Sequence, residues 1–288
     1  MIYKARFFVG RCCIGALFFL LLMQASFAYA LPVGNPGEAT MLYRGAFREP
    51  CCEDYFALRG GFYGDYVFDR HMRLKDSPQS YINTTELHTN AVYVDLNFCD
   101  RFDFFTTLGI SWMNIIANEL LFEKIPAPTA SPVVDITTKT DFSWSVGARA
   151  TLWNTRGCKW GVEAQYFNYS PENIKYINGE YTPNNSDNIN FNFRYTEWQV
   201  GTGISYCLLD WLIPYVAVQY ANARVRVNSV TTTSVFPNYP FTMQDLKAAR
   251  HWGGTIGVTL IGCGYMALTV EGRFCDEDAL YVNAQMRF

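Results

Sequence analysis

Through most of this chain apolar and polar residues change places at every step, and that period of two restricts the fold more than any other feature. From Asp141 to Trp153, Phe142, Trp144, Val146, Ala148, Ala150 and Leu152 fall on one side. Ser143, Ser145, Gly147, Arg149 and Thr151 fall on the other. Successive side chains of a strand point to opposite faces, so the stretch is predicted to be a strand with one oily and one wet face. Phe56, Leu58, Phe62, Tyr66 and Phe68 alternate in the same way with Arg59, Asp65 and Asp69. Val92, Val94, Leu96 and Phe98 oppose Asp95 and Asn97, and Trp160, Val162, Ala164 and Tyr166 oppose Lys159, Glu163 and Gln165. Further strands are read at 102–112, 198–206, 212–220, 252–260, 266–274 and 280–288. That makes ten in all, with room for up to sixteen where long links hide hairpins.

The links alternate in length. Short ones lie near Asp100-Arg101, Asn154–Gly157, Leu209-Asp210 and Gly262–Gly264; long ones cover 70–90, 117–140, 170–190 and 228–248. Short turns at one end and long loops at the other, on strands that are oily outside and polar within, predict an all-β fold. Its form is a transmembrane antiparallel up-and-down β-barrel with periplasmic turns and outer loops. A β-sandwich also alternates, but it rarely leaves so many aromatics on one face. About ten residues of tilted strand cross the ~25 Å apolar band, and the oily faces have that length. Trp112, Trp144 and Trp252 fall toward the long loops, and Trp153, Trp160 and Trp211 beside the short turns, as two interfacial belts require. Trp153 breaks the parity of its strand.

Composition excludes other classes. With 50% hydrophobic and 17% aromatic residues the chain has ample surface to bury and is not disordered. Lys+Arg 23 against Asp+Glu 26, without a basic run, argues against nucleic acid as a partner. Residues 1–30 read as a secretory signal peptide. Lys4, Arg6 and Arg11 precede the apolar run 14–23, and Ala28-Tyr29-Ala30 offers a small-x-small cleavage site before Leu31. Residues 31–53 are then expected to form a periplasmic N-terminal segment, and 54–288 the barrel.

Several segments are similar to the chlamydial major outer membrane porin family. They are Leu31–Pro36, Gly61–Arg70, Tyr195–Gly201, Leu212–Gln219 and the ending Val282–Phe288, in the family's order along the whole chain after the signal. The resemblance implies an outer-membrane porin, normally oligomeric, whose cysteines cross-link the envelope. The chain is shorter than the family pattern, and Cys51-Cys52 stands where a longer cysteine-rich stretch is expected.

On that reading Arg59, Asp65, Asp95, Arg149, Glu163, Gln165, Glu197, Gln199, Glu271 and Arg273 line the pore, holding water and biasing ion passage. Mutual pairing that plugs a narrow barrel is the competing outcome, because bore grows with strand number. Cys99, Cys158, Cys207 and Cys263 fall at short turns, with Cys51 and Cys52 on the same side; these six are the disulfide candidates, to neighbouring chains or other envelope proteins. Cys275 falls on the outer side. Phe288, ending the chain on the oily face, reads as a signal to the outer-membrane assembly machinery. No metal-ligand spacing occurs and no cofactor is expected. His71, His88 and His251 are placed near the outer rim, the first two in one loop with Asp76 and Glu86, and Asp69 close by. A rim protease is therefore the enzyme alternative, and a closed structural or adhesive barrel the non-enzyme one.

Overall fold

A computed structural model describes residues 31–43, 45–46, 55–75, 82–118, 133–171, 174–177, 180–181, 192–228, 245–275 and 277–288. The signal segment with Ala30, and Cys51, Cys52 and Asp76, lie outside the described residues. Fifteen strands are described: β1 (Phe56–Arg70), β2 (Met72–Leu74), β3 (Thr84–Phe98), β4 (Phe102–Asn118), β5 (Val133–Thr138), β6 (Asp141–Thr155), β7 (Cys158–Tyr169), β8 (Ile174–Ile177), β9 (Glu180–Tyr181), β10 (Asn192–Tyr206), β11 (Leu212–Asn228), β12 (Leu246–Ala248), β13 (Trp252–Gly262), β14 (Met266–Phe274) and β15 (Glu277–Arg287). Ten of them close an antiparallel barrel in the order β1-β3-β4-β6-β7-β10-β11-β13-β14-β15. The closing pair is β15 with β1, for example Phe62 opposite Ala284 and Arg59 opposite Arg287. The Phe288 amide continues that ladder to the Leu58 carbonyl at 2.9 Å.

Three short turns share one local conformation. Cys99-Asp100, Arg156-Gly157 and Cys263-Gly264 all have positive φ, between 49° and 83°. Two consecutive left-handed residues make the tight hairpin whose twist suits the flanking strands.

The outer surface follows the alternation. On β3, Val92, Val94 and Leu96 face outward and are exposed, while Tyr93, Asp95 and Asn97 between them are buried inside. Around the outer boundary runs a nearly continuous aromatic belt. His88 stacks on Trp112 at 4.5 Å, Trp144 meets Tyr166, and Tyr220 touches Trp198, His251 and Trp252. Phe98, Phe102, Trp160, Tyr206 and Trp211 mark the other boundary. From His88 to Phe98 is ten residues of β3, or ~25 Å of membrane normal at ~40° tilt.

The parity of Trp153 has a local cause. The β6–β7 register shifts between Thr151 and Trp153, so Leu152 and Trp153 both emerge on the outside. A second shift in β1, between Val67 and Asp69, turns Arg70 into the lumen where Asp69 was expected. His88 is corrected from the outer loop to β3, in the belt.

Four strands run further outward than expected, and β2, β5, β8, β9 and β12 lie in the long links. Beyond the belt the pattern inverts. On β11, Ala221, Ala223, Val225 and Val227 point inward and are buried, while Arg224 and Arg226 are exposed. A strand leaving the membrane meets water outside, so its oily face must turn to the interior.

A charge on the outward face should therefore be costly only between the belts. Val94→Arg is expected to lower barrel stability by ~2–4 kcal/mol, and Thr84→Arg, on the same strand and face beyond the belt, by less than ~1 kcal/mol. Equilibrium denaturant titration in phospholipid vesicles measures both. Equal costs would remove the membrane band from this position.

Candidate functional site: a filled lumen

All ten wet-face residues named from sequence point into the barrel, and none is more than 4% exposed. They meet one another rather than open water. Arg59 lies 3.5 Å from Asp95 and 3.4 Å from Asp103. Arg149 holds Glu163 at 2.7 Å and also Glu38. Arg273 pairs with Asp65 and with Glu277 at 2.6 Å. Arg70 pairs with Glu197, which accepts the Tyr195 hydroxyl at 2.6 Å. Gln165 donates to Ser145 at 2.9 Å. A charge removed from water is tolerated only when paired and hydrogen-bonded, and a ten-stranded bore brings opposite walls close enough to pair.

Arg70, Asp103, Glu277 and Glu38 were missed as members of this layer. Asp103 and Glu277 have inward parity on β4 and β15 and could have been found by counting. Arg70 depends on the bulge, which leaves no signal in the sequence. Glu38 belongs to a segment without any period.

That segment is the main departure from expectation. The sequence places 31–53 in a periplasmic segment, but of its described residues 31–42 run through the lumen and all except Thr40 are buried. Leu31 joins the apolar cluster at the outer end, and Tyr43 reaches the short-turn rim, where its amide bonds to the Gly264 carbonyl at 3.1 Å. The barrel wall satisfies the segment's backbone. Glu271 accepts the amides of Val33 (3.3 Å) and Gly34 (2.9 Å). Gln199 donates to the Pro32 carbonyl at 3.1 Å. Arg59 and Asn97 donate to the Ala39 carbonyl at 2.9 and 3.0 Å. The Asn35 side chain donates to Thr259 at 3.0 Å and accepts the Gly37 amide at 3.0 Å, which closes the Asn-Pro-Gly turn.

Glycines in the wall make room for this turn. A Cβ at Gly161 would strike the Pro36 carbonyl, and one at Gly203 would come within 2.7 Å of the Pro36 ring. Above the segment the lumen changes character. Val67, Met72, Leu74, Leu87, Met113, Ile115, Ile136, Phe167, Val225 and Leu246 pack with Leu31 into an apolar cap. The lower lumen is thus ionic and the upper lumen oily, and segment 31–42 spans the junction.

The rim is described in part. Cys99, Cys158 and Cys263 are exposed free thiols and Cys207 a half-buried one, all at the short-turn end, with Cys275 at the other end. His71 lies 3.5 Å from Asp69. Burial, and then the neighbouring Arg250, hold its imidazole below its usual pKa, so it is neutral at neutral pH. His251 Nδ1 donates to the Ala221 carbonyl, 2.9 Å away, and its ring stacks on Tyr220. Two of the three histidines are therefore parts of the belt.

A closed antiparallel cylinder with an oily outside, two aromatic boundaries and a polar interior defines an integral β-barrel of the bacterial outer membrane. The family model for the Chlamydia major outer membrane protein matches residues 11–80 and 72–186, and the chain belongs to that family. The major outer membrane porin of Chlamydia pneumoniae is 29% identical over 385 aligned positions, covering 93% of this chain and 98% of the relative. That of Chlamydia trachomatis serovar E is 28% identical, covering 94% and 98%. Both alignments are longer than the 288 residues of this chain, so the relatives carry stretches with no counterpart here. Among solved structures, outer membrane protein OprG of Pseudomonas aeruginosa aligns with a TM-score of 0.34 and 11% identity, over 81% of this chain and 95% of that one.

The ionic layer should be intolerant of losing one partner. Arg149→Met leaves Glu38 and Glu163 buried without their cation and is expected to cost ~3–5 kcal/mol. Adding Glu38→Gln to it should recover part of that loss. Denaturant titration of the single and double variants checks this; a single-variant loss below ~1 kcal/mol would mean that the layer is open to water.

Proposed function

We propose that the chain is a gated diffusion channel of the outer membrane, passing ions and small hydrophilic solutes when residues 31–42 leave the lumen. The family supports an outer-membrane porin role. The observation that carries the gated form is the nature of the filling. Among the described residues the segment is the backbone that occupies the lower lumen, and it is held there by noncovalent contacts: hydrogen bonds from the wall, the Glu38–Arg149 ion pair and the packing of Leu31 in the cap. Groups that hold it, such as Glu271, Gln199 and Arg149, would face water once it left. The ten residues named from sequence would then line the pore, as charged rings do elsewhere.

The same proposal includes a structural role. Exposed thiols of Cys99, Cys158 and Cys263, with Cys207, would join neighbouring copies or other envelope proteins in an oxidising compartment. Phe288 as an assembly signal and a homo-oligomeric state belong to it too. A second reading, a permanently closed structural or adhesive barrel, is favoured by the apolar cap, whose wall residues fill the outer lumen beside Leu31.

Planar-bilayer recording separates the two. The wild-type chain is expected to be mostly closed, with brief openings. Gly161→Val, whose side chain displaces Pro36, is expected to be mostly open, and Glu38→Ala, which removes the segment's ion pair to Arg149 while Glu163 keeps its own, should shift openings in the same direction. Silence in all three, with residues 31–42 of the variants accessible to protease, would establish the closed barrel instead.

A further inference from the structure

The wall above the outer belt carries five cations that the lumen network does not use. Arg194 on β10 and Arg226 on β11 are direct cross-strand partners. Arg224 on β11 faces Lys247 on β12, and Lys247 faces Arg73 on β2. Parity places all five outside: Phe193, Val225, Leu246 and Met72 beside them are buried inward. Arg194, Arg224 and Arg226 are exposed, and Arg73 and Lys247 half-buried. Strands β2 and β12 bring the last two there by extending the wall above the shorter strands β13 to β15.

Two observations give this patch a ligand. The first is electrostatic. Like charges directly opposite one another destabilise an antiparallel ladder, and here three such oppositions adjoin. Among the described residues no carboxylate forms an ion pair with any of the five. Asp245, just before β12, is paired with Lys75 at 3.6 Å. Among the described residues nothing offsets the repulsion, and an anion bound from outside would do so.

The second observation is level. Arg224 lies four residues outward of Tyr220, and Arg194 four outward of Trp198. At ~3.3 Å per residue and ~40° tilt, Arg194 and Arg224 stand ~10 Å beyond the belt, and Arg226, six residues outward of Tyr220, ~15 Å. Aromatic belts sit where hydrocarbon gives way to headgroups, so the patch faces sideways into the headgroup layer. We infer that it binds the phosphorylated headgroup of an outer-leaflet lipid. Guanidinium forks match phosphate oxygens two at a time, and adjoining strands present them as one surface. A lipid is favoured over a soluble polyanion because the patch continues the lipid-facing wall below it.

The test uses the full chain in nanodiscs or detergent, with diphosphoryl lipid A as probe, phosphatidylcholine as neutral control and heparin as soluble polyanion. Native mass spectrometry is expected to show wild type retaining lipid A over phosphatidylcholine by about tenfold or more, a preference that falls as salt rises. The variant Arg224→Gln/Arg226→Gln/Lys247→Gln should lose it. The same variant should keep the heat-dependent gel shift of a folded barrel, because all three side chains are outside the core. Wild type without a preference for lipid A overturns the inference, whatever the variant does. So does undiminished retention by a folded variant, or binding of heparin in place of lipid A. Channel recordings do not enter this test, so its failure leaves the gated-channel proposal standing, and the reverse holds as well.

Discussion

In hydrocarbon no water stands ready to accept or donate a hydrogen bond, so each backbone amide and carbonyl of a spanning strand must find another strand. Ten strands closed by β1 against β15 meet that demand without an edge. Much else follows. The outward face must be oily because lipid touches it. The inward face is freed from that requirement and can hold Arg59, Arg149, Glu163 and Glu271. Those groups in turn need partners, because the narrow cylinder that removes the edges also removes most of the water. The ion-pair layer and segment 31–42 are two answers to one problem. Opposite walls satisfy each other where they can reach, and the segment satisfies the wall elsewhere.

The lumen is layered along the axis, and the layers are set by what lies outside. Below the outer belt the outside is lipid and the inside polar. Above it the outside meets headgroups and water, and the inside becomes the apolar cap. The same strand carries both regimes without a break in parity. On β3, Leu87 points inward above the boundary and Asp95 points inward below it, while His88 and Val94 point out. Leu31 in the cap and Glu38 in the ionic layer give the segment one anchor in each regime.

The barrel, its handed arrangement of short and long links and its membrane belts were legible because they depend on period two, which a single sequence displays. Inward placement of the ten candidate residues was legible for the same reason. Strand ends were not. Beyond the belt the oily and wet faces exchange roles, and a reader following the oily face of β11 loses it at Tyr220. The two register shifts are not legible either, since a bulge moves a side chain across the wall without changing composition: the parity break at Trp153 shows in the sequence but its cause does not, and Arg70 gives no sign that it turns inward. Segment 31–42 could not be placed at all from pattern. Its fit depends on contacts such as Gly161 with Pro36 and Glu271 with Val33, which lie far apart in sequence.

Amide hydrogen exchange in lipid nanodiscs, resolved to the peptide, bears most directly on a cylinder filled by its own N-terminal segment. The amides of Val33 and Gly34, held by Glu271 and shielded by the wall, are expected to exchange on the slow scale of β1 and β15. Exchange of 31–42 within seconds, beside protected strands, would contradict the filled lumen; rapid exchange along the β1–β15 seam would contradict the closed cylinder itself.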